Sequence, residues 1–210
     1  MSPLPRALTR IAFALLAIAA LAAPASAKGK DSPPGGYSLA QAIEAARTLA
    51  QKAGITVSKQ EVLFARLDKH FASIVSKHEG KPISAVIAYQ MGEGGLIVKV
   101  KKGKGFIRFH GDKEDHGIEL KSISVGANVG GSSEWGVGLV FGLSDRPFFG
   151  GDYNGSTRGA TAGDASTNTT ELAKTKAVDP AEYHQIVLLG TASGLSANAG
   201  SAKLTIRLVD

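Results

Sequence analysis

The stretch from Ile118 to Leu143, IELKSISVGANVGGSSEWGVGLVFGL, decides the fold class. From Ile123 onward it reads as a β-hairpin with two unlike faces. Ile123, Val125, Ala127 and Val129 share one parity, as do Trp135, Val137, Leu139, Phe141 and Leu143. The opposite parity is small or bare: Ser122, Ser124, Gly126, Asn128 and Gly130, then Gly136, Gly138 and Gly142, with Val140 as its one bulky member. Side chains alternate across a strand, so one face is apolar and the other admits close approach to the backbone by a helix, a barrel wall or an acyl chain. Ile118 and Leu120 have the opposite parity to Ile123 and Val125, which predicts a bulge near Lys121 or Ser122.

Working outward, the period of two holds on both sides. Strands are expected over 83–89, 95–100, 105–110, 117–128, 134–143, 184–192, 195–199 and 202–209. A weak internal echo, GANVG at 126–130 against SANAG at 196–200, suggests two similar hairpins. Between the sheet regions, residues 144–179 are rich in Gly, Thr, Ser and Ala and read as a long loop. Before Pro82 the period is helical. Ser38 and Gln41 form a capping box for a helix running to about Lys52 and ending at Gly54, with Leu39, Ile43, Ala46, Leu49 and Ala50 on its apolar side. Ser58 and Glu61 form a second box, ahead of the stripe Val62, Leu63, Leu67, Phe71, Ile74, Val75 and His78, with Gly80 as its cap. The expected fold is α+β: a Gly-rich antiparallel barrel-like β-sheet packed by two N-terminal helices.

The first 27 residues have the form of a signal peptide. Arg6 and Arg10 precede an apolar run over 11–21, and Pro24-Ala25-Ser26-Ala27 supplies the cleavage pattern. Residues 28–36 read as a polar linker and 37–210 as a single domain. The expected location is periplasmic or secreted after cleavage following Ala27. Removing 1–27 takes away two arginines and no acid, which leaves 22 basic against 18 acidic side chains and a net charge of +4. That mild excess does not indicate nucleic acid, and no second apolar run predicts a transmembrane segment in the mature protein. There are no cysteines, so the exported chain must rely on its core rather than on disulfides.

Three groups of residues could carry function. Lys99, Lys101, Lys102, Lys104 and Arg108 surround Gly103 and Gly105 in what reads as a tight turn, suited to an anionic lipid surface or simply to solvent. Phe148 and Phe149, ahead of two glycines, could form an aromatic tip on the long loop or tuck into the core. His110, Asp112, Glu114 and His116 offer imidazoles and carboxylates of the kind that bind a transition metal, but at a spacing that matches no motif. No Gly-x-Ser-x-Gly elbow, His-Glu-x-x-His pair or P-loop is present, and no catalytic residue and no cofactor is nominated.

With Gly92-Glu93-Gly94-Gly95-Leu96, Ser124-Val125-Gly126, Gly130-Gly131 and Leu139-Val140-Phe141 in view, the chain resembles the SYLF lipid-binding superfamily over about residues 83–145, nearest to the exported envelope-integrity proteins of proteobacteria. The resemblance implies a small helix-capped β-barrel, an envelope location, association with lipid and no catalysis. It transfers no lipid-contacting residues. The expected function is thus a non-enzymatic periplasmic envelope protein binding lipid or another amphiphile. The alternative is a metal-dependent or hydrolytic envelope enzyme using the 110–116 segment. The oligomeric state is not legible in the sequence.

Overall fold

Ser38 starts the first helix as its sequence requires. In the computed structural model, which describes residues 35–94, 98–125, 133–160, 166–193 and 200–209, the Ser38 Oγ accepts from the Gln41 N–H at 3.3 Å and the Ser38 N–H donates to Gln41 Oε1 at 2.9 Å. Helix α1 spans Leu39–Lys52, and Gly54 follows with φ +76°. Helix α2 spans Val57–Lys77, and here the expected box fails. The helix begins before Ser58, with Thr56 at its N-cap and no side-chain cap. Ile55 is buried instead, and Gln60 sends its Nε2–H to the Ile55 carbonyl at 2.7 Å, which fixes the entry of the chain.

Eight strands follow: β1 Ile83–Gly94, β2 Val98–Phe109, β3 His116–Val125, β4 Ser133–Phe141, β5 Gly151–Ala160, β6 Ser166–Lys174, β7 Gln185–Ser193 and β8 Gly200–Val209. They close into an antiparallel barrel in the order β1-β2-β3-β8-β5-β6-β7-β4. The barrel confirms the mostly β, helix-packed architecture and corrects four local readings. The hairpin expected from Ile123 onward does not form, because β3 pairs with β2 and β8 whereas β4 pairs with β1 and β7. No bulge occurs at Lys121 or Ser122. The β2–β3 register runs unbroken from Val98 opposite Val125 to Ile107 opposite His116, and a shift appears instead between Ile83 and Ala85.

The basic stretch around Gly103 and Gly105 is not a turn but the middle of β2. Glycine is needed there because a Cβ at Gly105 would press on the backbone of Ala88 and Tyr89, where β1 and β2 cross closely. The expected loop at 144–179 holds β5 and β6, with short 3-10 turns at Arg146–Phe148 and Pro180–Glu182. Among the described residues, Tyr153 and Leu172 are the members of these two strands in the apolar barrel core, so their alternation is faint in the sequence. The signal peptide, the linker up to residue 34, the strand expected at 195–199 and most of the internal echo lie outside the described residues.

The two faces of β4 have opposite duties. Trp135, Val137, Leu139 and Phe141 face outward beneath the helices and pack with Ala46, Leu49, Leu63, Phe64 and Phe71. Val86, Ala88, Val187 and Leu189 extend that layer and Phe106 of β2 packs against it, so the helices cover β1, β4, β7 and part of β2. Gly136 and Gly138 point into the barrel, where Val140 joins Ile87, Ile107, Ile118 and Ile186. Gly142, with φ +72°, reverses the chain, and Leu143 drops into the barrel core instead of following the outward face.

Candidate functional site

With β1, β4, β7 and the Phe106 part of β2 under the helices, the wall formed by the rest of β2 with β3, β8 and β5 is open. Lys102 and Lys104 project from it and are exposed. Lys102 stands directly opposite Lys121 on β3, and Lys104 stands opposite Glu119, which in turn stands opposite Arg207 on β8. Two like charges in direct cross-strand register repel one another. An open groove of ≈ 990 Å³ crosses this wall and is lined by Gln90, Lys102, Lys104, Lys121, Asp152 and Arg207, among others.

The remaining sequence-nominated bases are divided among other tasks. Lys99 stands on β2 opposite Ser124. Lys101 has the inward parity of Ile107, and its Nζ lies 3.0 Å from Glu134 Oε2, inside the barrel. Arg108 donates through Nε to Asp115 Oδ1 at 2.6 Å, and Lys52, in the last turn of α1, reaches the other oxygen at 3.0 Å. Burial opposes ionisation of Asp115, but the hydrogen bonds from Arg108 and Lys52 outweigh it and hold its pKa below the ordinary carboxylate value. This cluster ties helix to barrel. It leaves Lys102 and Lys104 as the sequence-nominated bases on the open wall.

Phe149 is buried in the core, edge-on to Phe109 at 5.5 Å, and Phe148 packs against the same cluster. They close the barrel floor, so the aromatic-tip reading gives way to packing. The 110–116 segment does not converge either. The His110 ring meets Tyr37 edge-on at 5.0 Å, His116 Nε2 lies 3.2 Å from Asp112 Oδ2, and Glu114 is exposed. Among the described residues, no group of three or more His, Cys, Asp or Glu is placed to hold a metal ion. No described helix is long and apolar enough to cross a membrane.

No family model, curated protein or solved structure matches this chain.

Sequence reasoning missed the polar lock on the barrel floor. His184 is only 1% exposed, and its Nδ1 lies 2.8 Å from the Glu182 carbonyl. That nitrogen must therefore carry the proton, and Nε2 accepts from the Tyr153 hydroxyl at 2.9 Å, which itself accepts from the Gly150 N–H at 3.0 Å. The lock joins the β4–β5 and β6–β7 connections. The isolated polarity of His184 just before an apolar strand was its only signal in the sequence.

Burial first, and the nearby Lys174 charge, lower the His184 pKa, against the bond to Glu182. Below the ordinary value of 6.5, the unfolded chain takes up a proton that the native chain refuses until its own lower pKa is reached. Stability is therefore expected to fall as pH drops through that window. The urea midpoint should be lower at about pH 5.5 than at about pH 7.5, and His184→Gln should flatten the difference while lowering stability at both. Equal pH slopes for the two proteins would dismiss the lock as the source.

Proposed function

We propose that this chain is a non-enzymatic binding protein of the cell envelope that docks its open barrel wall on an anionic lipid surface. The observation that carries the proposal is the Lys102–Lys121 pair, flanked by Lys104 and Arg207 on a wall that the helices leave uncovered. A phosphate between two opposed ammonium groups converts their repulsion into attraction, and lysine suits headgroup phosphates as a mobile point charge. Glu119 and Asp152 temper the field, so the contact is local and salt-sensitive. The signal-peptide pattern and the SYLF resemblance agree with an envelope lipid partner and supply no contact residues of their own.

The test is co-sedimentation with vesicles of phosphatidylglycerol and phosphatidylethanolamine, against phosphatidylcholine vesicles as control. Each basic residue at such a surface contributes about 1 kcal/mol, so Lys102→Gln/Lys104→Gln/Lys121→Gln should weaken binding by about two orders of magnitude. All three side chains are exposed strand positions, and thermal melts should match the wild type within a few degrees. Wild-type binding should decline as salt rises. Binding that ignores both salt and these substitutions would refute the proposal.

A further inference from the structure

The barrel interior is apolar at its floor and polar toward the opposite end. Lys101 on β2 shares the inward parity of Ile107 and Phe109, and Glu134 on β4 shares that of Val140. Their side chains are only 13% and 14% exposed and meet at 3.0 Å. The Tyr89 hydroxyl donates to the other Glu134 oxygen at 2.9 Å. Burial, then the neighbouring Glu134 charge, push the Tyr89 phenol well above its ordinary pKa, so it serves as a neutral donor.

A fourth group stands beside them. Asn168 on β6 has the inward parity of Leu172, is 3% exposed, and its Oδ1 has no hydrogen-bond partner among the described residues. Its register partner on β7 is Gly190, where a Cβ would come within 2.7 Å of Glu134 Oε1 and 2.8 Å of the Tyr89 hydroxyl. The unpartnered amide oxygen thus projects inward one strand away from the Tyr89–Glu134–Lys101 group. The inward positions of other strands toward this end, Gly103, Ser122 and Ala202, are small. An eight-stranded barrel has room for one small ligand where its side chains do not fill it.

From this juxtaposition we infer that the polar end of the barrel interior is a binding site for a small neutral molecule rich in hydroxyl donors, a sugar or polyol. A buried acceptor without a donor is costly and uncommon, so Asn168 Oδ1 calls for an O–H or N–H that the described residues do not supply. Glu134 keeps acceptor lone pairs beyond those used by Tyr89 and Lys101. Lys101 cancels its charge, which removes the attraction for a cation and favours an uncharged donor. The inference is independent of the outer wall, since Lys102, Lys104 and Lys121 have the opposite, outward parity.

D-Glucose and N-acetyl-D-glucosamine are the probes, titrated into ¹⁵N-labelled protein while the side-chain amide of Asn168 is followed. That resonance is identified by its absence in Asn168→Leu. The expected result is a saturable shift with a dissociation constant on the order of 1 mM, the range of weak small-ligand binding. Neighbouring backbone shifts should weaken about tenfold or more in Asn168→Leu and in Glu134→Gln, a factor worth about 1.4 kcal/mol. Asn168→Leu removes an unpaired buried acceptor and should fold at least as stably as the wild type, so its loss of binding would not reflect unfolding. The Lys102→Gln/Lys104→Gln/Lys121→Gln variant should bind sugar normally. Absence of any shift at about 100 mM sugar would assign Asn168 to an ordered water alone and overturn the inference. Equal shifts in Asn168→Leu, or loss of binding only in the outer-wall variant, would overturn it as well.

Discussion

A single methyl group at Gly136 is expected to lower the melting temperature by about 6–12 °C, the equivalent of roughly 3 kcal/mol in a domain of this size. A Cβ there would press on the Leu189 carbonyl oxygen and sit 2.8 Å from both the Gly190 Cα and the Tyr89 hydroxyl. Two of those three atoms are backbone of β7, so no rotamer change relieves the clash. The β4–β7 ladder must move apart and the Tyr89 hydroxyl must shift from its bond to Glu134, and both are costly. Gly92 on β1 is the control. A Cβ there meets nothing within 4 Å and its φ is not positive, so Gly92→Ala should leave the melt unchanged or raise it slightly. Comparable losses for the two alanines would mean that the barrel dislikes any departure from glycine, and that close approach to Tyr89 is not the cause.

The same contrast explains what could be read from the sequence. Ser38 and Gln41 are local, and their reciprocal bonds form as written. The parity of Trp135, Val137, Leu139 and Phe141 marks one shared apolar face, because alternation is a property of a single strand, but it does not tell that this face lies under the helices and the glycine face inside the barrel. Strand pairing is a property of the whole sheet. Nothing between Ile118 and Leu143 reveals that β3 pairs with β8 and β4 with β7. Residues 144–179 hide β5 and β6 for a related reason. Beyond Tyr153 and Leu172, the inward positions on β5 and β6 include Gly155, Thr157, Thr170 and Asn168, so the usual apolar beat is missing where the barrel interior turns polar. The basic cluster shows the limit most clearly. Lys101 and Lys102 are neighbours in the chain yet face opposite sides of the wall, because β2 runs straight through the expected turn.

Lys101→Met is expected to cost about 3 kcal/mol, the lower end of what breaking a buried ion pair costs, since the pair keeps slight exposure. The loss comes less from the missing attraction than from what remains, a Glu134 carboxylate inside the barrel with the Tyr89 hydroxyl as its remaining donor among the described residues. The double variant Lys101→Met/Glu134→Leu removes both charges and should recover much of that loss. It does not recover all of it, because the Tyr89 hydroxyl, fully buried, loses its acceptor at a cost of about 1–3 kcal/mol. Adding Tyr89→Phe should then bring the triple variant back to wild-type stability or beyond, as apolar replacements of buried ionic groups often do. Denaturant midpoints across this series measure the coupling. Simple addition of the two single losses within about 0.5 kcal/mol would show that solvent screens the pair and that the barrel end is wet. If the triple variant is stable, the polar group is not needed for folding. It should then have lost sugar binding while keeping its melt, which separates a group retained for a ligand from one retained for the fold.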